Sequence, residues 1–182
     1  AAALGVVTAG VRSLLSTAQQ VTLGAEAAGL SVERFQAIRA AVGDVGGDGN
    51  RAASGLAQFA QAARSASFAQ GELYEQLRLI NPEFARQLAT ARSQAEALEV
   101  VAKAWDAAGP AERRTALANA AFGQGGTQTM LGLRRELAGG VSPDRIIDPD
   151  LIRRADELAK RINAIADALS TRFVASLCPA VA

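Results

Sequence analysis

The chain has 182 residues, enough for one ordinary domain or two very small ones. Its 19 Lys and Arg nearly balance 18 Asp and Glu, for a net charge of +1, whereas a dedicated nucleic-acid binder usually carries a strong basic excess. With no His and one Cys, Cys178, it lacks Ser-His-Asp and Cys-His nucleophile systems, an intrachain disulfide and a Cys-cluster zinc site.

Alanine supplies 42 residues, arginine 17 against 2 lysines, and aromatics only 4%. Alanine is the strongest helix former, yet each one buries little area. The composition therefore predicts helices in thin layers, with a core that is modestly stable or leans on partners.

Residues 1–11 are apolar, but Arg12 ends the run well short of the ~20 residues a membrane span needs. The stretch lacks a basic leading region and a starting Met, so it does not read as a signal peptide, and the chain reads as a fragment of something longer. A first Ala-rich helix is expected from Ala2 to Ala28, closing at Gly29 and weakened at Gly24. Residues 1–30 thus form an N-terminal segment that can be the end of a longer upstream helix.

Ser31 is a suitable N-cap, with Glu33 in the first turn favoured by the helix dipole. Val32, Phe35, Ile38 and Val42 then recur at helical spacing, and the helix should stop at Gly43. Residues 43–50 (GDVGGDGN) hold four glycines and read as a loop. A third helix is expected from Arg51 to Phe68, with Leu56, Phe59 and Ala63 along its apolar stripe. A short helix or turn follows over Gly71–Ile80, with Leu73, Leu77 and Ile80 on one side.

Asn81-Pro82 is a restart, with Asn as cap and Pro at the first helical position. Ser93 and Glu96 have the spacing of a capping box, in which Glu reaches back to the Ser N–H. The helix they open carries Leu98, Val101, Ala102 and Trp105 on one face and ends at Gly109-Pro110. Helices over 111–122 and Thr127–Ala138 follow, the latter capped by Thr127 and stopped by Gly139-Gly140. Residues 31–147 are therefore expected as a bundle of short helices.

Asp148-Pro149 repeats the cap-plus-proline start and opens the longest predicted helix, within 148–177. Leu151, Ala155, Leu158, Ile162, Ile165, Leu169 and Phe173 are spaced 4, 3, 4, 3, 4 and 4, a coiled-coil-like seam suited to helix–helix association. Residues 178–182 are a tail to which the sequence gives no role. The expected fold is all-α, an array of about seven to nine helices with a long coiled-coil-like C-terminal helix.

Candidate chemistry is sparse. Asp44, Asp48 and Gly49 fall at the first, fifth and sixth positions of a calcium-loop pattern, but Gly46 and Gly55 occupy ligand positions, so a turn is the better reading. GQGGT at 123–127 lacks the Lys of a phosphate loop and the strand that precedes one. Asp144, Asp148 and Asp150 suit helix capping better than acid–base work. The arginine pairs at 113/114, 134/135 and 153/154 suit solvated faces and helix ends, although such pairs can also meet a phosphate backbone. Trp105 reads as a core anchor, and nothing beside Cys178 marks it as reactive. No nucleophile–base pair, cofactor motif or metal set emerges, so the chain is not read as an enzyme.

The order of these blocks resembles the helical region of phage tail length tape measure proteins. Four stretches carry the likeness: AAALGVVTAGVRSLL with AEAAGLSVERFQAIRAAV, RAASGLAQFAQAAR at 51–64, SQAEALEVVAKAWDAAGPAERRTALANAAFGQGGTQTMLGL at 93–133, and VSPDRIIDPDLIRRADEL. Together they span residues 1–173. TMLGLRREL at 129–137 and RLINPEFARQL at 78–88 depart from the family's pattern.

The resemblance implies a structural role. Tape measure proteins are long, helical and multimeric, occupy the tail lumen, set the tail's length and leave ahead of the DNA. It implies self-association and, as partners, the tail tube protein, tail assembly chaperones and tail tip or baseplate hub proteins, with transient membrane contact and no specific nucleic acid. The place would be the virion tail lumen, and the host cytoplasm during assembly. The alternative is a membrane-active helical module acting on the host envelope, motivated by the apolar start and the Ala-rich composition.

Overall fold

A computed structural model describes residues 16–141, 146–148, 150–155, 157, 158, 160 and 161. Every regular element among the described residues is an α-helix. Helix α1 covers described residues 16–28. It is followed by α2 (Val32–Asp44), α3 (Gly49–Ala66), α4 (Glu72–Ile80), α5 (Pro82–Thr90), α6 (Gln94–Ala107), α7 (Ala111–Phe122) and α8 (Gly126–Leu137). Described residues 150–155, 157, 158, 160 and 161 are also helical. Of the long C-terminal helix expected from the seam, Ile162, Ile165, Leu169 and Phe173 lie outside the described residues, as do Asp144 and Cys178.

Contacts group the chain into two compact units, one of Ala1–Gln20 with Asp148–Ala182 and the other of Val21–Ile147. One division therefore falls at residue 148, where the second proline restart lies. The other falls inside α1, ten residues before the expected boundary at 30.

Side-chain caps set several helix starts. Ser31 Oγ accepts from the Arg34 N–H at 3.3 Å, and Asn81 Oδ1 accepts from the Glu83 N–H at 2.9 Å with Pro82 beside it. Asp48 Oδ1 accepts from the N–H groups of Asn50 and Arg51 at 2.7 and 3.1 Å. That cap recruits Gly49 into α3, which starts two residues before the expected Arg51. Ser93 Oγ accepts from the Glu96 N–H at 3.1 Å, but Glu96 Oε2 accepts from the N–H of Arg92 at 2.8 Å rather than from that of Ser93. The reciprocal half of the capping box is thus displaced by one residue. Thr127 is not the cap of α8 either: that helix begins at Gly126 behind Gly125, which sits at φ 81 and offers no side chain.

The core of the Val21–Ile147 unit is assembled from one stripe of each helix. Phe35, Ile38 and Val42 of α2, Leu56 and Phe59 of α3, Leu73 and Leu77 of α4, Leu98 and Val101 of α6, Leu117 of α7 and Met130 and Leu133 of α8 are fully buried. Each such side chain contributes about 1.5–3 kcal/mol relative to exposure. The Phe59 and Phe122 rings join α3 to α7 with centroids 5.4 Å apart. Alanines fill the remaining gaps: Ala41, Ala66, Ala104 and Ala118 are completely buried.

Two glycines show what the thin layers gain. A β-carbon on Gly132 would lie 2.7 Å from the Val42 backbone nitrogen, so α8 and α2 touch backbone to backbone there. A β-carbon on Gly24 would lie 2.5 Å from Phe35 Cζ. The glycine that weakens α1 in isolation therefore makes the seat for the largest side chain of α2.

Candidate functional site

Several of the polar groups singled out in the sequence serve helix starts and ion pairs. Of the glycine-rich loop's carboxylates, Asp48 caps α3 and Asp44 Oδ2 lies 3.4 Å from Arg135 Nε of α8. Backbone N–H groups of Arg51 and Asn50 hold the Asp48 carboxyl below the usual aspartate value. This loop and the GQGGT stretch, remote in sequence, meet at an open cleft of about 360 Å³ lined in part by Gly47, Asp48, Arg51, Gly125 and Thr129. Its carboxylate is already occupied with the helix start.

Asp148 Oδ1 accepts from the Asp150 N–H at 2.8 Å, a helix-start bond rather than an acid–base pair. Among the arginine pairs, Arg134 Nη2 meets Asp106 of α6 at 2.8 Å, Arg135 meets Asp44, and Arg153 Nη2 meets Asp150 at 3.1 Å. Trp105 is buried, so its ring anchors α6 rather than offering a stacking face. Among the described residues no group of three or more His, Cys, Asp or Glu could hold a metal, and no helix is long and apolar enough to cross a membrane.

What stands out is apolar surface. On the helical segment after Asp148, Leu151 is 57% and Leu158 49% exposed. They lie seven residues apart, the first and third positions of the seam, with Ala155 half-buried between them. Among the described residues of this segment, the buried one is Ile152, which the seam spacing passes over. The helix therefore has two apolar edges, one covered through Ile152 and one open through Leu151 and Leu158.

The chain arrives at this segment through a clasp that sequence reasoning missed. Gln36 of α2 is buried, its Nε2 donates to the Ile147 carbonyl at 3.0 Å, and its Oε1 accepts from the Ile147 N–H at 3.1 Å. One amide thereby satisfies both backbone groups of the residue before Asp148. The available signal was a glutamine directly after Phe35 and four residues from Val32, inside an otherwise apolar stripe.

No protein-family model matches the chain, and no curated protein or solved structure matches it.

Proposed function

We propose that this chain is a structural phage tail protein, a stretch of the tape measure that lies in the tail lumen, sets tail length and is released during DNA ejection. The observation that carries the reading is the open seam: Leu151 and Leu158, one heptad apart, present apolar surface on a helix whose other edge is already covered at Ile152. Apolar surface at that spacing is what a second helix covers. The ordered helix-and-cap series over residues 1–173 supports the family, and the all-helical character of the described residues agrees with it.

On this reading the Val21–Ile147 unit is a folded node, and the segment within 148–177, with Ile162, Ile165, Leu169 and Phe173 continuing the seam, is the part that associates along the tail. Other copies of the chain are its first partners. The tube protein, assembly chaperones and the tip or baseplate hub follow from the same reading.

The test is a tail whose tape measure carries residues 148–177 in duplicate. Added helix lengthens the tail by about 1.5 Å per residue, or about 45 Å in all, as measured by electron microscopy. An unchanged tail length overturns the proposal.

A further inference from the structure

The two glycine-rich stretches, weak as motifs when taken singly, flank one cleft of about 360 Å³ at the starts of α3 and α8. Arg51 Nη1 lies 3.6 Å from where a Gly125 β-carbon would stand, and one turn further along both helices Thr129 Oγ1 lies 3.6 Å from the β-carbon position of Gly55. The helices therefore start side by side and turn two positive dipole ends toward the cleft. Asp48 serves the first, its carboxylate accepting from the Asn50 and Arg51 N–H groups. The second has no such service, because α8 begins behind Gly125 with no side-chain cap and no acid in its first turn.

Arg51, Gln128 and Thr129 line the cleft around that bare end, and all three can donate hydrogen bonds. Thr129 is only 3% exposed. Of the two buried polar side chains among the described residues, Gln36 bonds to Ile147, whereas the Thr129 hydroxyl bonds to no described residue. A buried hydroxyl left unbonded is costly, and an acceptor on a ligand in the cleft relieves that cost. Charge favours an anion. Arg39, tied to the Gly49 carbonyl and to Asn50 Oδ1 at 3.0 Å each, offsets Asp48, and Asp44 pairs with Arg135. Arg51 is left as the surplus cation of the cleft.

We propose that this cleft binds a phosphate group. The Arg51 fork matches two phosphate oxygens, the Thr129 hydroxyl and the Gln128 amide donate to the oxygens, and the start of α8 complements the remaining charge. GQGGT lacks the lysine of a phosphate loop, and α3 delivers the cation in its place. At about 360 Å³ the cleft stands at the small end of ligand clefts, ~300–1,000 Å³, so it takes one phosphate or phosphomonoester head rather than a whole nucleotide.

The experiment titrates inorganic phosphate into the whole chain at constant ionic strength and follows backbone amide NMR shifts. Saturable shifts are expected at Gly125, Gly126, Thr127 and Gln128, and sodium chloride alone should not produce them. Arg51→Gln should weaken phosphate binding about tenfold or more with Tm unchanged. Thr129→Val should weaken it too while leaving the phosphate-free chain at least as stable, which a purely structural hydroxyl would not do. Two further arms identify the source of the phosphate. Saturation by phenyl phosphate assigns a small soluble ligand, and saturation by vesicles carrying phosphatidic acid alone assigns a lipid headgroup. No saturable shift with any of the three probes, a chloride response of the same size, or equal affinity in Arg51→Gln overturns the inference.

Discussion

The contact between α2 and α8 and the helical segment after Asp148 use the same alphabet of small and branched apolar residues to opposite ends. In the first, Gly132 lets two backbones meet, and Ile38, Val42, Met130 and Leu133 are wholly buried around that contact. In the second, Leu151 and Leu158 stay half in solvent, while Ile152 is covered. The difference teaches that this composition can complete a core without bulky residues wherever glycine and alanine bring helices close, and that apolar spacing alone does not complete one. A leucine edge left open is surface that another helix can cover.

Substitutions in the finished region should break it hardest. Phe35 is fully buried, seated on Gly24, with the Arg39 guanidinium 5.7 Å from its ring centroid. Phe35→Ala should cost about 3–5 kcal/mol in urea unfolding through the cavity it leaves. Gly132→Ala comes next. Alanine favours the helix by about 1 kcal/mol, but forcing a methyl against the Val42 backbone should leave a net loss of about 2 kcal/mol. A neutral result would mean that the two helices are not in backbone contact.

Gln36→Ala sharpens the boundary between the two regions. It strips both hydrogen bonds from Ile147 and should cost about 1–3 kcal/mol, with faster amide exchange at Ile147 as the local readout. The smallest effect is a pH dependence at the start of α3. Asp48 has its carboxyl held low by the Arg51 and Asn50 N–H groups, so its contribution is present above the unfolded value and disappears as pH falls through the folded one. Asp48→Asn should flatten that acid limb.

Much of the fold was legible because its signals are local. Asn81-Pro82, Ser93, Gly109-Pro110 and Gly123 punctuate the chain through backbone geometry and short-range hydrogen bonds, and the helices between them lie within a few residues of expectation. Phe35, Ile38, Leu56, Phe59 and Leu98 declared their buried faces by period. The start of α8 was misread because Thr127 is a good cap in isolation, whereas close packing of Gly126 on Ala118 of α7 settles where the helix begins. Gly24 read as a defect because its benefit, room for Phe35, comes from another helix. The Gln36 clasp joins residues far apart in sequence, and no spacing rule encodes such a meeting. The seam was legible as a pattern, but spacing did not show which of its neighbours, Leu151 or Ile152, would be covered.

The most direct test of the central claim is sedimentation of the whole chain over a range of concentrations, beside the pair Leu151→Asp and Leu158→Asp. The account predicts that the wild type self-associates with rising concentration, and that the charged pair stays monomeric with the thermal unfolding of the Val21–Ile147 unit unchanged. A wild type that remains monomeric throughout, or a charged pair that associates just as well, would contradict it.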